Sequence, residues 1–219
     1  MTGAQPSGAN QQYIDSRLPP LLFPVPEAVV LQDAATLIGG ADAALLATQT
    51  AAVQARDTVL VTGASGGVGT YLIQLLKLRQ AHVIALASKD NQAFVGSLGA
   101  DVVLNYEDNL AAELREVMPP NKIIDTVGRP QLLRLLAEQF DDFALLSLSL
   151  PNFQFRKAGQ TFKFTNGAIG LGGYQKLLGM LADGTLKAHV QAIYPFEDIK
   201  EAQQQSKNAH SKGRILLSF

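Results

Sequence analysis

The chain has 219 residues, of which 47% are hydrophobic and 17% are charged, and its formal net charge is −1. That length allows one large domain, or one domain with part of another. The near-neutral charge gives no reason to expect nucleic acid or an anionic membrane as a partner, and no run of about 20 apolar residues predicts a membrane span. The absence of cysteine excludes disulfides, thiolate catalysis and cysteine zinc ligands, and it agrees with the cytoplasmic location that we expect.

The residues before the first predicted strand form an arm. Residues 1–12 are small and polar, so we expect them to be poorly tied down. The stretch L-P-P-L-L-F-P-V-P at 18–26 is too rich in proline for a helix and predicts extended, covering chain. Residues 33–52 are rich in Ala and Leu and predict a helix that is interrupted near Gly39 and Gly40.

From Asp57 onward, strands and helices alternate with short connections. Apolar runs predict strands at 58–62, 82–86, 101–104, 122–125 and 143–150. Between them we predict helices after the glycines, at 90–98, at 109–117 and at 131–139. The predicted fold class is therefore α/β, a doubly wound parallel (Rossmann) sheet with right-handed crossovers. After Pro151 we predict an extended edge strand within 153–164, a helix at 174–181, a strand at 190–194, a helix at 196–209 and a strand at 215–219.

The connection after the first strand reads V-L-V-T-G-A-S-G-G-V-G at 59–69. A glycine-rich turn between a buried strand and a helix aims backbone N–H groups at a phosphate, and the helix N-terminus favours the anion. The sequence predicts a strand, a turn and a helix here. We therefore predict a dinucleotide pyrophosphate site with contacts from Ser65, Gly66, Gly67 and Val68.

Two motifs fit the same letters. As T-G-x-x-x-G-x-G the stretch is typical of short-chain dehydrogenases, and as A-x-G-x-x-G it is typical of zinc-free medium-chain reductases. The first family needs a Tyr-x-x-x-Lys pair, but none of the five tyrosines has a lysine four residues later. Its fingerprint also normally opens the enzyme, whereas 57 residues precede this strand. We therefore reject the short-chain interpretation.

Further phrases follow in order along the chain: L-G-A-D at 98–101, L-N-Y at 104–106, D-T-V-G at 125–128, L-A-D-G-T-L-K at 181–187, Y-P-F-E-D-I-K-E-A at 194–202 and K-G-R-I-L-L at 212–217. With them the chain resembles the cofactor half of the quinone reductase and zeta-crystallin branch of the medium-chain dehydrogenase/reductases. The resemblance covers nearly everything after residue 12. It implies NADPH as the cofactor, hydride transfer to a small quinone or conjugated enone, no metal, and a homodimer paired through the open sheet edge at 161–165.

The family usually carries a GroES-like substrate domain upstream, of which we expect only a remnant here. The resemblance thus implies three parts: an N-terminal arm or barrel remnant at 1–40, the Rossmann domain at 41–180, and elements at 181–219 that complete the nucleotide domain and the remnant. Two functions stay open, a quinone or enone reductase and a non-catalytic NADP(H)-binding module or fragment. No residue is predicted as an acid, base or nucleophile.

The cofactor preference is predicted from the end of the second strand. An NAD enzyme places an acid there to bind the ribose, but this chain has Ala87, Ser88 and Lys89. A hydroxyl and an ammonium group without a carboxylate favour the 2′-phosphate of NADP, and only the neighbouring Asp90 weighs against it. The alternative is that residues 88–90 simply cap the next helix.

Further cofactor contacts come from the resemblance and from the sheet edge. Tyr106 matches a family position near the adenosine phosphate. Thr126 and Val127 follow a strand at the carboxyl edge, where such folds bind ligands. Lys212 and Arg214 have two interpretations, an approach to the cofactor from the C-terminal strand and a solvated pair, and we favour the solvated pair. The three histidines are predicted to be structural or solvated.

Overall fold

A computed structural model describes residues 24–207 and 210–219, so the stretch predicted to cover the fold lies mostly outside the described residues. The main sheet contains Thr58–Val61 (β1), His82–Ala87 (β2), Val102–Asn105 (β3), Lys122–Asp125 (β4), Phe143–Ser147 (β5) and Gln160–Phe164 (β6). The helices are Leu31–Ala35 (α1), Asp42–Thr50 (α2), Gly69–Leu78 (α3), Gln92–Ser97 (α4), Leu110–Glu113 (α5), Pro130–Gln139 (α6), Gly170–Ala182 (α7) and Ile199–Lys207 (α8). A separate two-stranded sheet contains Val190–Pro195 (β7) and Arg214–Ser218 (β8).

The six strands of the main sheet are parallel and lie in the order β3-β2-β1-β4-β5-β6. This order confirms the predicted doubly wound Rossmann fold. The order reverses between β1 and β4, and the carboxyl ends of all six strands meet at one edge. In open sheets of this kind, the crevice at that reversal is where ligands bind.

The sheet separates two apolar cores because successive side chains of a strand point to opposite faces. Val59 and Val61 belong to the core that contains residues of α2, α3 and α7. Leu60 belongs to the other core, with residues of α5 and α6. Burial on both faces explains why β1 reads as a continuous apolar run.

In the arm before β1, the helix predicted at 33–52 is interrupted as expected. Between α1 and α2, Ile38 has an extended backbone (φ −79°, ψ 124°) and Gly39 has a φ of +66°, which favours glycine. A Cβ at Gly40 would lie 3.1 Å from the carbonyl oxygen of Gly67. The break in the helix therefore lets the arm approach the glycine-rich turn closely.

The helix predicted at 109–117 is wrong in length, because α5 spans only Leu110–Glu113. It begins after Asn109, which has a φ of +42° and makes no capping hydrogen bond. Residues 114–117 form turns instead, with N–H groups of Arg115 and Glu116 bonding carbonyls three residues back. Pro119 and Pro120 follow, and they cannot continue a helix.

The strand predicted at 143–150 is also too long. β5 ends at Ser147, whose hydroxyl oxygen accepts the N–H groups of Ser149 (3.2 Å) and Leu150 (2.9 Å). These bonds turn the chain away from the sheet before Pro151. Within the predicted extended segment at 153–164, only β6 forms a strand, and it lies at the edge of the sheet as predicted.

The small sheet contacts the main fold at the glycine-rich turn. β7 and β8 pair in parallel. Just before β8, Gly213 forms a bridge with Gly66, and its N–H donates to the carbonyl of Ser65 at 2.8 Å. The end of the chain therefore lies directly against the turn after β1.

Candidate cofactor site

The glycine-rich turn is shaped by close backbone approaches. Gly63 has a φ of +64°, and a Cβ on it would overlap the side chains of Thr126 and Val127. A Cβ on Gly69 would overlap the carbonyl oxygen of Gly63 and lie 2.6 Å from that of Ala64. Both glycines are therefore required by the fold itself, with or without a ligand.

Gly66 is different, because the surrounding chain leaves room beside it. The nearest atoms to a Cβ there would be the carbonyl oxygen of Gly63 at 3.4 Å and Oγ of Ser211 at 3.8 Å, both ordinary contacts. Packing within the described chain does not explain the glycine. A ligand that approaches the backbone closely does explain it, as for the second glycine of a dinucleotide fingerprint.

Helix α3 begins beside Gly66 with open hydrogen-bond donors. Its N-cap, Val68, makes no side-chain capping bond. Within residues 24–207 and 210–219, the N–H groups of Val68 and Gly69 have no acceptor. An anion at this position would meet two open donors and the positive end of a ten-residue helix.

Arg214 adds a cation to the same place, and the prediction that it is solvated is wrong. Its side chain lies on Gly67, where a Cβ would overlap its Cδ. Its guanidinium donates to the carbonyl of Ile38 at 2.7 Å. The topology decides this, because β8 returns from the far end of the chain to the turn. Lys212, by contrast, is exposed as predicted.

The end of β2 carries the predicted adenosine-side residues. Ser88 is 2% exposed, makes no capping bond to the turn that follows, and has a hydroxyl without a hydrogen-bond partner in the described chain. Ser88 thus occupies the N-cap position of that turn, as the capping alternative has it, but its hydroxyl takes no part in capping. Lys89 is exposed beside it. A buried hydroxyl with no partner is costly, and a ligand hydroxyl or phosphate oxygen would satisfy it.

The structure also brings a carboxylate to this place, which the sequence reasoning missed. Glu107, just beyond β3, accepts the backbone N–H of Lys89 at 3.1 Å. Its carboxylate lies 3.7 Å from Nε2 of His210, whose Nδ1 lies 3.3 Å from the hydroxyl of half-buried Tyr106. β2 and β3 are neighbours, so an acid after either strand reaches the same spot. An examination of both strand ends would have found it.

Thr126 and Val127 lie at the carboxyl end of β4, as predicted, held by a buried network. Asp125 accepts the hydroxyls of Thr62 and Ser147, both at 2.7 Å, and the N–H of Val127 at 3.2 Å. The Thr126 hydroxyl donates to the carbonyl of Thr62 at 2.8 Å. That hydroxyl therefore holds two strand ends together, while the Val127 side chain is exposed at the edge.

Two buried tyrosines hold the arm against the nucleotide fold. Burial raises the pKa of Tyr71 to about 12, against the opposing effect of its hydrogen bond with Thr36. Burial also raises the pKa of Tyr174, whose hydroxyl donates to Asp42 at 2.7 Å. Both phenols stay protonated near neutral pH, as suits groups that join α1 and α2 to α3 and α7.

A groove of about 750 Å³ lies away from these residues, between α6 and residues 152–157. Phe153 and Phe155 line it together with Arg134 and Arg156. None of the predicted cofactor residues lines it. The concentration of open donors, a nearby cation and unpartnered polar atoms at the β1 and β2 ends makes that edge, not the groove beside α6, the candidate site.

Among residues 24–207 and 210–219 there is neither a metal cluster nor a membrane-spanning helix. In that part of the chain, no three His, Cys, Asp or Glu side chains come together in a way that could hold a metal ion. No helix among residues 24–207 and 210–219 combines the length and the apolar character needed to cross a bilayer.

Comparison with known proteins points to one superfamily. Residues 67–142 match the family described as zinc-binding dehydrogenase. A medium chain reductase, pydE, from Acremonium sp is 28% identical over 88% of this chain and 60% of its own length. The quinone oxidoreductase from Coxiella burnetii superposes with a TM-score of 0.76 at 25% identity, covering 90% of this chain and 63% of that one.

A mycobacterial protein solved in complex with NADPH has the same fold, with a TM-score of 0.72 and 24% identity over 88% of this chain and 66% of that one. The chain thus spans less than two thirds of the length of each of these three proteins.

Proposed function

Because the chain belongs to the medium-chain dehydrogenase/reductase superfamily, we propose that it binds NADPH at the carboxyl edge of β1 and β2. The bound cofactor would supply hydride to a small quinone or conjugated enone, without a metal. The observation that carries the proposal is the start of α3, where two N–H groups lack acceptors among the described residues and Arg214 lies beside them. The NADPH complex of the mycobacterial relative supports the choice of cofactor.

The proposed binding residues form two groups, one at the pyrophosphate end and one at the adenosine end of the dinucleotide. At the pyrophosphate end, Val68 and Gly69 donate N–H groups, Gly66 leaves room for the anion, and Arg214 compensates its charge. At the adenosine end, the Ser88 hydroxyl, Lys89 and His210 attract the 2′-phosphate, which Glu107 opposes. Ser65 and Gly67 contribute backbone to the turn, and Tyr106 packs beside His210.

The residues after β4 provide the third part of the proposed site. The network centred on Asp125 fixes residues 125–128 at the strand end. This leaves the apolar Val127 side chain exposed at the carboxyl edge. We propose no acid or base in this chain. Its part in the reaction would be to bind and orient the cofactor.

A fluorescence titration with NADPH, followed by an assay of NADPH oxidation with a small quinone, tests the proposal. Binding with turnover is the expected result. Binding without turnover would instead support the non-catalytic module, and absence of binding would overturn both functions. The Gly96→Ala variant should behave as the wild type in both assays, since a Cβ there meets nothing within 4 Å.

We also propose that two copies pair through β6 and that the protein works in the cytoplasm. β6 lies at the end of the strand order, so one of its edges is unpaired within the main sheet. Such an edge is a template for pairing with another chain. Sedimentation equilibrium should give a dimer, and a monomer at all concentrations would contradict the pairing. Cell fractionation tests the compartment.

A further inference from the structure

Asn91 joins two segments of the chain that meet only in the folded protein. It is 1% exposed and follows β2 at the end of a short helical turn. Its amide nitrogen lies 3.0 Å from Oγ of Ser65, 3.2 Å from the carbonyl oxygen of His210 and 3.4 Å from that of Ser211. All three are acceptors, so a single NH₂ group bonds the glycine-rich turn and the C-terminal segment at once.

The segment held in this way, residues 210–214, lies along the whole glycine-rich turn. Gly213 donates to the carbonyl of Ser65, and Arg214 donates its N–H to the carbonyl of His189, both at 2.8 Å. The side chain of Arg214 then lies on Gly67. The position of Arg214 beside the start of α3 therefore depends on how this segment is anchored.

The backbone of the segment needs such anchoring at His210, whereas Gly213 adopts its positive φ without strain. His210 has a φ of +62° and Gly213 a φ of +92°. Positive φ is unfavourable for a residue with a Cβ, and such conformations persist only where surrounding contacts fix them. The Asn91 amide bonds the carbonyl of His210 itself, at the first of these two bends.

Asn91 is not satisfied as a purely structural amide would be. Its Oδ1 is buried and has no partner among the residues that the structure describes. A buried acceptor without a donor costs about 1–3 kcal/mol, and most buried polar atoms avoid this state. The bonds of this side chain are therefore those of its nitrogen, which donates to oxygens of the glycine-rich turn and of the C-terminal segment.

We propose that Asn91 is a positioning residue of the dinucleotide site: it holds residues 210–214 against the glycine-rich turn and so places Arg214 beside the phosphate-binding end of α3. This inference rests on the proposed cofactor function. Asn91 acts through residues 210–214, so its loss weakens NADPH binding only as far as Arg214 and His210 contribute to it.

Hydrogen–deuterium exchange of the ligand-free protein tests the anchoring without any cofactor. Asn91→Ala and Asn91→Asp both remove the donor group, and the second keeps the shape of the side chain. Each should speed exchange in residues 210–218 while exchange in β1, β2 and β4 stays unchanged. The matched control is Gln92→Ala, because the Gln92 amide bonds the carbonyl of Val103 in β3 and not the C-terminal segment. Unchanged exchange at 210–218 would overturn the proposal.

A double-mutant cycle tests the route of the effect. NADPH dissociation constants are measured for the wild type, Asn91→Ala, Arg214→Gln and the double variant. We expect each single change to weaken binding about tenfold and the loss in the double variant to be smaller than the product of the two single losses. Losses that multiply would overturn a route through Arg214.

Two further outcomes are informative. If the wild type does not bind NADPH, the proposed function fails, and the exchange experiment still tests the anchoring. If both Asn91 variants lose protection throughout the sheet, Ser65→Ala decides, because it removes one acceptor from the turn and keeps Asn91. Faster exchange at 210–218 in that variant supports the proposal, and unchanged exchange contradicts it.

Discussion

The two edges of the main sheet are built in opposite ways. At the amino edge, charged groups pair with each other: Lys122 lies 3.1 Å from the carboxylate of Asp57, which also accepts the Asn121 amide at 2.7 Å. At the carboxyl edge, the Ser88 hydroxyl and the start of α3 lack partners within the described residues. The same sheet thus separates stability from binding, because only unsatisfied groups can gain free energy from a ligand.

The comparison predicts that changes at the carboxyl edge alter binding, whereas changes at the amino edge alter stability alone. A change at Gly69 is expected to alter both stability and binding. Gly69 lies at the binding edge, and its backbone is also packed against that of Gly63 and Ala64.

Gly69→Ala should have the largest effect. The new methyl group would overlap backbone carbonyls that cannot move without shifting β1 or α3, so we expect a loss of about 3 kcal/mol in the free energy of unfolding. Urea denaturation measures it. Gly96→Ala, where a Cβ meets nothing within 4 Å, should cost nothing. Equal effects at the two glycines would contradict the backbone contact.

Gly66→Ala should separate binding from folding. The chain leaves room for its Cβ, so the free energy of unfolding should change by less than about 1 kcal/mol. The methyl group would block close approach of the pyrophosphate, and the NADPH dissociation constant should rise at least tenfold, or about 1.4 kcal/mol. A stable variant that binds NADPH normally would falsify the placement of the phosphate at this turn.

Asp101→Asn should affect only stability, by about 1 kcal/mol at pH 7. Burial raises the pKa of Asp101. Hydrogen bonds from Lys77 and from the N–H of Val83 lower it by more than burial raises it, so the pKa of Asp101 lies below its ordinary value. A lowered pKa stabilises the fold when the carboxyl is ionised. The contribution is therefore complete near neutral pH and is lost as the pH falls below about 4.

Denaturation of wild type and Asp101→Asn at pH 7 and pH 3 measures this contribution, and the gap between the two proteins should shrink at the lower pH. Asp141→Asn is the matched control, because Asp141 pairs with Lys157 while its side chain is 81% exposed. That variant should change stability less at both pH values, and NADPH affinity should be unaltered in both variants.

Glu107→Gln should have the smallest effect and act on cofactor preference. Removing a negative charge near Lys89 and His210 should tighten NADPH binding about threefold and leave NADH nearly unchanged. Titration with each cofactor measures the ratio. Asp108→Asn removes a neighbouring charge that bonds Asn105 instead and should do less. Unchanged NADPH affinity in Glu107→Gln would place the 2′-phosphate elsewhere.

Much of this molecule could be predicted from local sequence. The alternation of apolar runs and helical periods predicted the parallel sheet, since burial on both faces leaves a continuous apolar signal in β1. The glycine spacing located the turn, because backbone approach at Gly63 and Gly69 restricts those positions to glycine. The predicted lengths of α5 and β5 were wrong. A proline cannot continue a helix, and a serine hydroxyl that bonds the backbone can end a strand within a residue or two.

What the sequence determined by itself is the order of elements and the position of the turn, because periodicity and turn chemistry are local properties of the chain. Only the tertiary structure decided which distant residues meet there. Arg214 lies on Gly67 and Asn91 bonds His210 because of where β8 lies, whereas Glu107 reaches Lys89 because β2 and β3 are neighbours in the sheet. Each pairing depends on where β3 and β8 lie in space, and no local pattern records contacts between residues so far apart along the chain.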